Sequence, residues 1–276
     1  MLKKAMSCSF ELNEETFIAL KNAGIEAIEI SYRPEDIDSF NYQQVKELSQ
    51  KYGVELWSYH LPFWWIGATI DAASHDKSVR DFSLKLWQNY VKKGAEIGIK
   101  RFVVHPSSEP KSQDINERNQ EIEYSKQTLS ALAKYAKQFG AIICVEDLPR
   151  TCLGRDSKEL LNIVSADENL KICFDTNHLL NEDLLEFVNN TRGKIETLHV
   201  SDYDYIDERH WLPGEGKIDW HSLYNKLIDC GYNGPWLYEL GIKTRPNIIN
   251  RSRELTFEDL TRNATEIFEG KRLTLI

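Results

Sequence analysis

Cysteine is scarce: five in 276 residues, Cys8, Cys144, Cys152, Cys173 and Cys230, an odd number with no CxxC pair. That excludes a disulfide framework and a thiolate zinc site, and leaves these residues as small buried hydrophobes. No apolar run approaches the ~18 residues needed to cross a bilayer, so a membrane partner is not expected. Met1-Leu2-Lys3-Lys4 has no hydrophobic segment behind it, so no secretory signal is read there and the expected location is cytoplasmic. Basic residues are in deficit, 34 Lys and Arg against 43 Asp and Glu, for a net charge of −9. With no local basic patch to override that field, nucleic acid is a disfavoured partner. Also missing is any linker, low-complexity segment or shift in composition, so residues 1–276 are read as one domain.

What is present is alternation. With 41% apolar residues there is ample material for a core, and strand-like runs cover residues 4–10, 25–30, 54–59, 99–104, 141–145, 170–174, 194–199 and 235–239. Between them lie helical patterns. Asn13 caps one that closes at Gly24, Tyr42 to Tyr52 stops at Gly53, and Val79, Phe82, Leu86, Tyr90 and Val91 form an apolar stripe of period 3.6 that ends by Gly98. Ile122, Leu129, Leu132, Ala133 and Ala136 mark another, ended by Gly140. Asp156 with Glu159 resembles a capping box opening a helix through Val164, and later helices run over 183–188, from Asp219 to Cys230, and from Thr256 and Asp259 to Phe268. Eight strand-then-helix units imply a parallel sheet clothed in helices, which closes naturally into an α/β (β/α)8 TIM barrel. An open doubly wound sheet would want a glycine-rich phosphate loop after its first strand, and Ser7-Cys8-Ser9-Phe10 offers none.

The strands end in chemistry. The fifth stops at Glu146, the sixth at Asp175, the seventh at His199 and the eighth at Glu239. In a closed barrel these ends share one bowl, so three carboxylates and one imidazole meet around a single divalent ion. Singly, each has an ordinary structural use: Glu146 as a salt-bridge or helix-dipole partner, Asp175 as a turn former, His199 as a core histidine. Together they would be four costly polar groups at the mouth of an apolar barrel. Five of the seven histidines, His60, His105, His178, His199 and His210, fall at strand ends or in the loops after them. Phe63, Trp64 and Trp65 after the third strand form an apolar wall on which a sugar face can stack, or a packed loop sealing the rim. Gly214 and Gly216 are read as allowing a tight turn near a substrate.

Val145-Glu146-Asp147-Leu148-Pro149, Phe174-Asp175-Thr176-Asn177-His178, Leu198-His199-Val200-Ser201-Asp202, Pro213-Gly214-Glu215-Gly216 and Tyr238-Glu239-Leu240 resemble the motifs of the xylose isomerase-like TIM barrels. That superfamily comprises sugar and sugar-phosphate isomerases and epimerases together with an abasic-site endonuclease. The resemblance covers essentially the whole chain. It implies one divalent metal held by Glu146, Asp175, His199 and Glu239, with Glu146 and Glu239 also serving as acid and base. It further implies substrate contacts from His178 and from Arg209 or His210, with His60 and His105 as additional candidates.

A sugar C–H beside a carbonyl is a weak acid, so its removal needs stabilisation of the developing enediolate, which a divalent ion supplies as a Lewis acid. Two glutamates then move the proton: face to face gives epimerisation, return to the neighbouring carbon gives isomerisation. Three oxygens and one nitrogen suit Mn²⁺, Zn²⁺, Mg²⁺ or Co²⁺, and we favour Mn²⁺ or Zn²⁺. The expected partner is a small sugar or sugar derivative, and homo-oligomerisation is left open. Three competing readings remain. An abasic-site endonuclease would use the same histidines for three metals, though it has an aspartate where this chain has Glu208. A dehydratase or lyase would use the same enediolate, and a sugar-binding barrel would perform no turnover.

Overall fold

A computed structural model describes residues 1–243 and 251–276. The eight expected units are present: β1 (Lys4–Cys8), α1 (Glu14–Ala23), β2 (Ala27–Ser31), α2 (Tyr42–Tyr52), β3 (Glu55–His60), α3 (Lys77–Glu96), β4 (Arg101–Val104), α4 (Ile115–Lys137), β5 (Ile142–Glu146), α5 (Ser157–Val164), β6 (Leu170–Asp175), α6 (Leu184–Asn190), β7 (Ile195–His199), α7 (Trp220–Asp229), β8 (Trp236–Tyr238) and α8 (Phe257–Phe268). The strands are parallel and follow chain order around one sheet, with β1 between β2 and β8. Val200 bridges Tyr238 in parallel, its N–H donating to Leu237 O while Glu239 N–H donates to Val200 O, and this joins β7 to β8. The sheet is therefore a (β/α)8 barrel rather than a doubly wound layer. Among the described residues no helix is long and apolar enough to cross a membrane.

Strand alternation divides the side chains into two populations. Outward residues such as Met6, Ile28, Tyr59, Phe102, Val145, Phe174 and Leu198 join the helices in the main apolar core. Inward residues are smaller: Ala5, Ala27 and Leu237 pack with Trp57, and Val103, Cys144 and Cys173 with Ile142. At the N-terminal end of the strands the Arg101 guanidinium lies 3.5 Å from the Trp57 ring centroid and pairs with Glu196, while the Trp57 indole N–H donates to Thr197 Oγ1. The same inward parity that places Cys144, Cys173, Thr197 and Leu237 inside carries Glu146, Asp175, His199 and Glu239 to the opposite mouth.

Two local readings are corrected. The buried face of α3 is Ser83, Trp87, Tyr90, Val91 and Gly94, and Phe82 is exposed rather than part of the stripe. The helix is rotated because the Trp87 indole must donate to Pro62 O, and because a side chain at Gly94 would meet Phe102 at 2.6 Å. At α5, Asp156 does cap Glu159 N, but the Glu159 carboxylate does not reach back. It serves the buried Arg118 guanidinium and Gly154 N instead, since a buried cation needs its counter-charge more than a helix end needs a second cap.

The reciprocal box forms at α8, between Thr256 and Asp259. Thr256→Ala is expected to cost about 1 kcal/mol in thermal unfolding at neutral pH. Arg253, aided by Thr256 N–H, holds the Asp259 carboxyl well below the ordinary range. Its contribution is thus present above the unfolded carboxyl value of about 3.9 and is lost as pH falls through the depressed folded value. The penalty from Thr256→Ala should shrink in strong acid.

Candidate metal and sugar site

Glu146 and Asp175 end β5 and β6, His199 ends β7, and Glu239 follows β8, each delivered by strand parity to the same bowl. One donor atom from each of the four lies within 4.8 Å of the others. His199 Nδ1 is 2.9 Å from Glu146 Oε1, 3.0 Å from Glu239 Oε2 and 4.0 Å from Asp175 Oδ2. Asp175 Oδ1 accepts from Asn177 N–H, whereas Asp175 Oδ2 is buried and has no hydrogen-bond partner. An orphaned, buried carboxylate oxygen beside two more carboxylates and an imidazole nitrogen is a donor set that a hard or borderline divalent cation satisfies.

Charge confirms the crowding of acids here. Burial alone would keep Glu146 neutral, but His199 and His105 outweigh it and hold its carboxyl well below the usual range. The same contest at Glu239 is won by His199. Asp175, buried and facing Glu239 and Glu146, is pushed up to about 6 despite His178. The imidazoles answer in kind: burial opposes charging of His60, yet Glu146 lifts it to about 9, and His199 and His178 are raised well above the ordinary value against their own burial.

The surrounding histidines are also oriented. His60 Nδ1 faces Leu61 O, leaving Nε2 3.2 Å from Glu146 Oε2, where His105 Nε2 also sits at 3.1 Å. His178 Nδ1 faces Asp147 O, and its Nε2 lies 3.3 Å from Glu208 Oε2 and 3.6 Å from Asp175 Oδ2. His178, Glu208 and His210 form a second group with donor atoms within 4.8 Å. His210 adopts φ 53°, held by Asn177 Oδ1 on its N–H. A cavity of about 420 Å³ over Glu146 is lined by His60, His105, His178, His210, Glu239 and Trp64. It shares His60, Phe63 and Trp64 with a neighbouring cavity of about 800 Å³.

Two expected contacts lie beside the cavity rather than in it. Trp65 stacks on Phe82 of α3, with centroids 5.8 Å apart, and does not line the cavity. Arg209 is bound to Asp204 and opens on an adjoining hollow of about 300 Å³ that shares His210 and Glu239 with the cavity. Pro213-Gly214-Glu215-Gly216 is likewise not at the cavity: Gly216 packs on Asp202, and Glu215 is paired with the buried Arg251.

Of the aromatic run, Phe63 and Trp64 rather than Trp65 face the cavity, Phe63 stacked on His105 at 4.3 Å. Several residues escaped the sequence reading. Arg150 lines the cavity and is shared by Glu109, Asp207 and Glu208. Asp147 accepts from Asp175 N–H and anchors that loop. Glu29 is fully buried inside the barrel. A single charge within Ala27-Ile28-Glu29-Ile30 was the available signal, since an apolar strand does not bury a carboxylate without a partner.

A family profile described as xylose isomerase-like TIM barrel matches residues 17–259. An uncharacterized protein, MJ1311, from Methanocaldococcus jannaschii is 28% identical over 202 residues, covering 70% of this chain and 67% of that protein. Fructoselysine 3-epimerase from Escherichia coli O157:H7 is 28% identical over 122 residues, 41% of this chain and 44% of the epimerase. A probable endonuclease 4 from Finegoldia magna is 25% identical over 222 residues, 72% of this chain and 74% of that protein. Among solved structures, a D-tagatose 3-epimerase-like protein superposes with a TM-score of 0.79 at 24% identity, covering 97% of both chains.

Proposed function

Because the chain belongs to the xylose isomerase-like TIM barrel family, we propose that it is a divalent-metal-dependent sugar epimerase or isomerase acting beside a ketose carbonyl. The observation that carries this is the convergence of Glu146, Asp175, His199 and Glu239, with Asp175 Oδ2 buried and unpartnered. These four would hold the ion, with Mn²⁺ or Zn²⁺ favoured. When bound, the ion supplies Lewis-acid stabilisation of the negative charge that develops on the substrate carbonyl oxygen. The chain's own residues move the proton. β5 and β8 lie three strands apart around the ring, so Glu146 and Glu239 enter from different sides, as proton removal on one face and return on the other requires. His60 Nε2, His105 Nε2 and His178 Nε2 line the same space and orient hydroxyls. Phe63 and Trp64 exclude water and offer an apolar face to the sugar, and the adjoining 800 Å³ cavity gives room for a substituent on it. Epimerase names among the relatives and neighbours support epimerisation over isomerisation.

The test is metal analysis coupled to solvent-deuterium uptake by a panel of ketoses and ketose derivatives. The expected result is one tightly held ion per chain, exchange that vanishes on chelation, and exchange restored by Mn²⁺. Adding the ion at a hundredfold excess over its Kd should also raise unfolding stability by about 2.7 kcal/mol. Metal binding with no exchange on any ketose would sink the proton-transfer reading.

A second reading, a multi-metal phosphodiesterase acting on abasic DNA, is favoured by the His178, Glu208 and His210 group and by His60 and His105 converging on Glu146 Oε2. Two features weigh against it. Glu208 is already engaged by Arg150 and His178, and His210 Nδ1 faces Glu239 O. Glu109 and Asp207 add further acid beside Arg150, which repels a phosphate backbone. Three ions per chain and cleavage of an abasic duplex would favour this reading over the first.

A further inference from the structure

Glu29 sits in the middle of β2, fully buried among small inward side chains. Ser58 Oγ donates to its Oε2 at 2.7 Å, and its Oε1 lies 3.0 Å from His199 Nε2, two buried atoms that have no other partner among the described residues. The His199 ring therefore has two distinct ends: Nδ1 turned to Glu146 and Glu239, Nε2 turned to Glu29. Neither carboxylate oxygen of Glu29 belongs to the four-residue donor group.

The pairing is built by backbone irregularity. Between β2 and β3 the register runs Ile28 with Leu56 and then Glu29 with Ser58, so Trp57 is an extra residue. That bulge sends the Trp57 indole toward Arg101 and sets Ser58 opposite Glu29. A second shift, between Ile172 and Cys173 on β6, skips Glu196 and sets Asp175 opposite His199. Bulges of this kind re-aim side chains next to sites. Without the first, Ser58 would not stand beside Glu29 to hold its carboxylate.

We propose that Glu29, fixed by Ser58, is the positioning residue that keeps the His199 proton on Nε2 and so presents the Nδ1 lone pair to the divalent ion. A neutral imidazole carries one N–H, and whichever nitrogen has the better acceptor keeps it. Once the Glu146 and Glu239 oxygens on the Nδ1 side are given to the ion, the Glu29 carboxylate is the acceptor left for the ring N–H; it keeps the proton on Nε2, fixes the ring plane and makes Nδ1 a stronger donor to the ion. The inference rests on the metal reading above and adds to it a residue outside the ligand set.

The experiment uses full-length chain, stripped of metal and titrated with Mn²⁺ while the free-ion electron paramagnetic resonance signal is followed. In Glu29→Gln the Mn²⁺ dissociation constant should rise by about 10- to 100-fold. In Ser58→Ala, which leaves every carboxylate in place, it should rise by a smaller factor with an unchanged metal-free melting temperature. Zn²⁺-loaded, ¹⁵N-labelled wild type should show one imidazole protonated on Nε2 and metallated on Nδ1, a signal absent from His199→Gln. Folded Glu29→Gln that binds Mn²⁺ within twofold of wild type overturns the proposal, as does a His199 signal with the proton on Nδ1. If Glu29→Gln does not fold, unchanged affinity in Ser58→Ala overturns it. Wild type that binds no divalent ion removes the metal centre itself, and that result is seen before any variant is compared.

Discussion

Glu239→Gln is expected to lower substrate C–H exchange by about 10²- to 10⁴-fold, the range for removing a positioned general acid or base, while the chain unfolds at nearly the wild-type temperature. The asymmetry between the two glutamates makes this test clean. The Glu239 side chain is 26% exposed toward the cavity and has one imidazole neighbour within reach, His199. A carboxamide fits the same space and keeps one oxygen for the ion, but it cannot take a proton, so with exchange measured at saturating Mn²⁺ the loss reports the missing acid or base. Glu146 is different: it is fully buried, and His60, His105 and His199 all lie within 3.2 Å of its oxygens. Glu146→Gln should lose exchange to a similar degree and also lose stability, because the buried His60 and His199 and the partly buried His105 all lose a carboxylate within 3.2 Å. The pH dependence separates the two further. In metal-free wild type Glu146 raises His60 to about 9, so its contribution is complete below the unfolded histidine value of about 6.5 and is lost as pH rises through 9. That alkaline decline, followed by thermal melts, should be retained in Glu239→Gln and flattened in Glu146→Gln. Full exchange activity in either variant would remove that residue from the proton-transfer pair.

The legible parts of this molecule were those whose physics is local. Strand parity and strand length are written in a few consecutive residues, so the ends at Glu146, Asp175, His199 and Glu239 could be read directly, as could the cap at Asn13 and the helix starts at Asp219 and Thr256, which also serve as caps. What could not be read was contact across the ring. Glu29 is defined by His199, 170 residues further along, and by a bulge that nothing in Leu56-Trp57-Ser58 announces. Phe63, Trp64 and Trp65 are chemically alike. Only the position of Phe82 on α3 sends Trp65 outward, while Phe63 is turned to His105. The orientation of α3 failed for the same reason, since the choice between Phe82 and Trp87 was made by the carbonyl of Pro62.

The Gly214–Gly216 turn shows how a motif read as part of a binding site can act one step behind it, and Gly216→Ala puts a number on that. Asp202 follows β7 and is fully buried, with its carboxylate accepting from the N–H groups of Tyr203, Gly214 and Ile218 and from the Trp220 indole. Four donors on one carboxylate tie the end of β7 to the start of α7. A Cβ on Gly216 would stand 2.3 Å from Asp202 Oδ1 and 2.3 Å from Tyr203 O. Neither is the free end of a flexible side chain, so the turn must open. Overpacking costs about 1–3 kcal/mol, and each hydrogen bond to the carboxylate that is broken adds about 1.5–3 kcal/mol. Denaturant unfolding of Gly216→Ala should therefore show a loss of about 3–5 kcal/mol, large against a usual total of 5–15 kcal/mol. Asp202→Asn should show a smaller loss, since an amide keeps one acceptor oxygen. The effect on the site should be indirect: His199 lies three residues before Asp202, so Mn²⁺ affinity should weaken only as far as the β7 end loosens. A Gly216→Ala protein as stable as wild type would mean that the turn does not brace Asp202, and the end of β7 would then owe its placement to the Val200 and Trp211 bridges and to its pairing with β6.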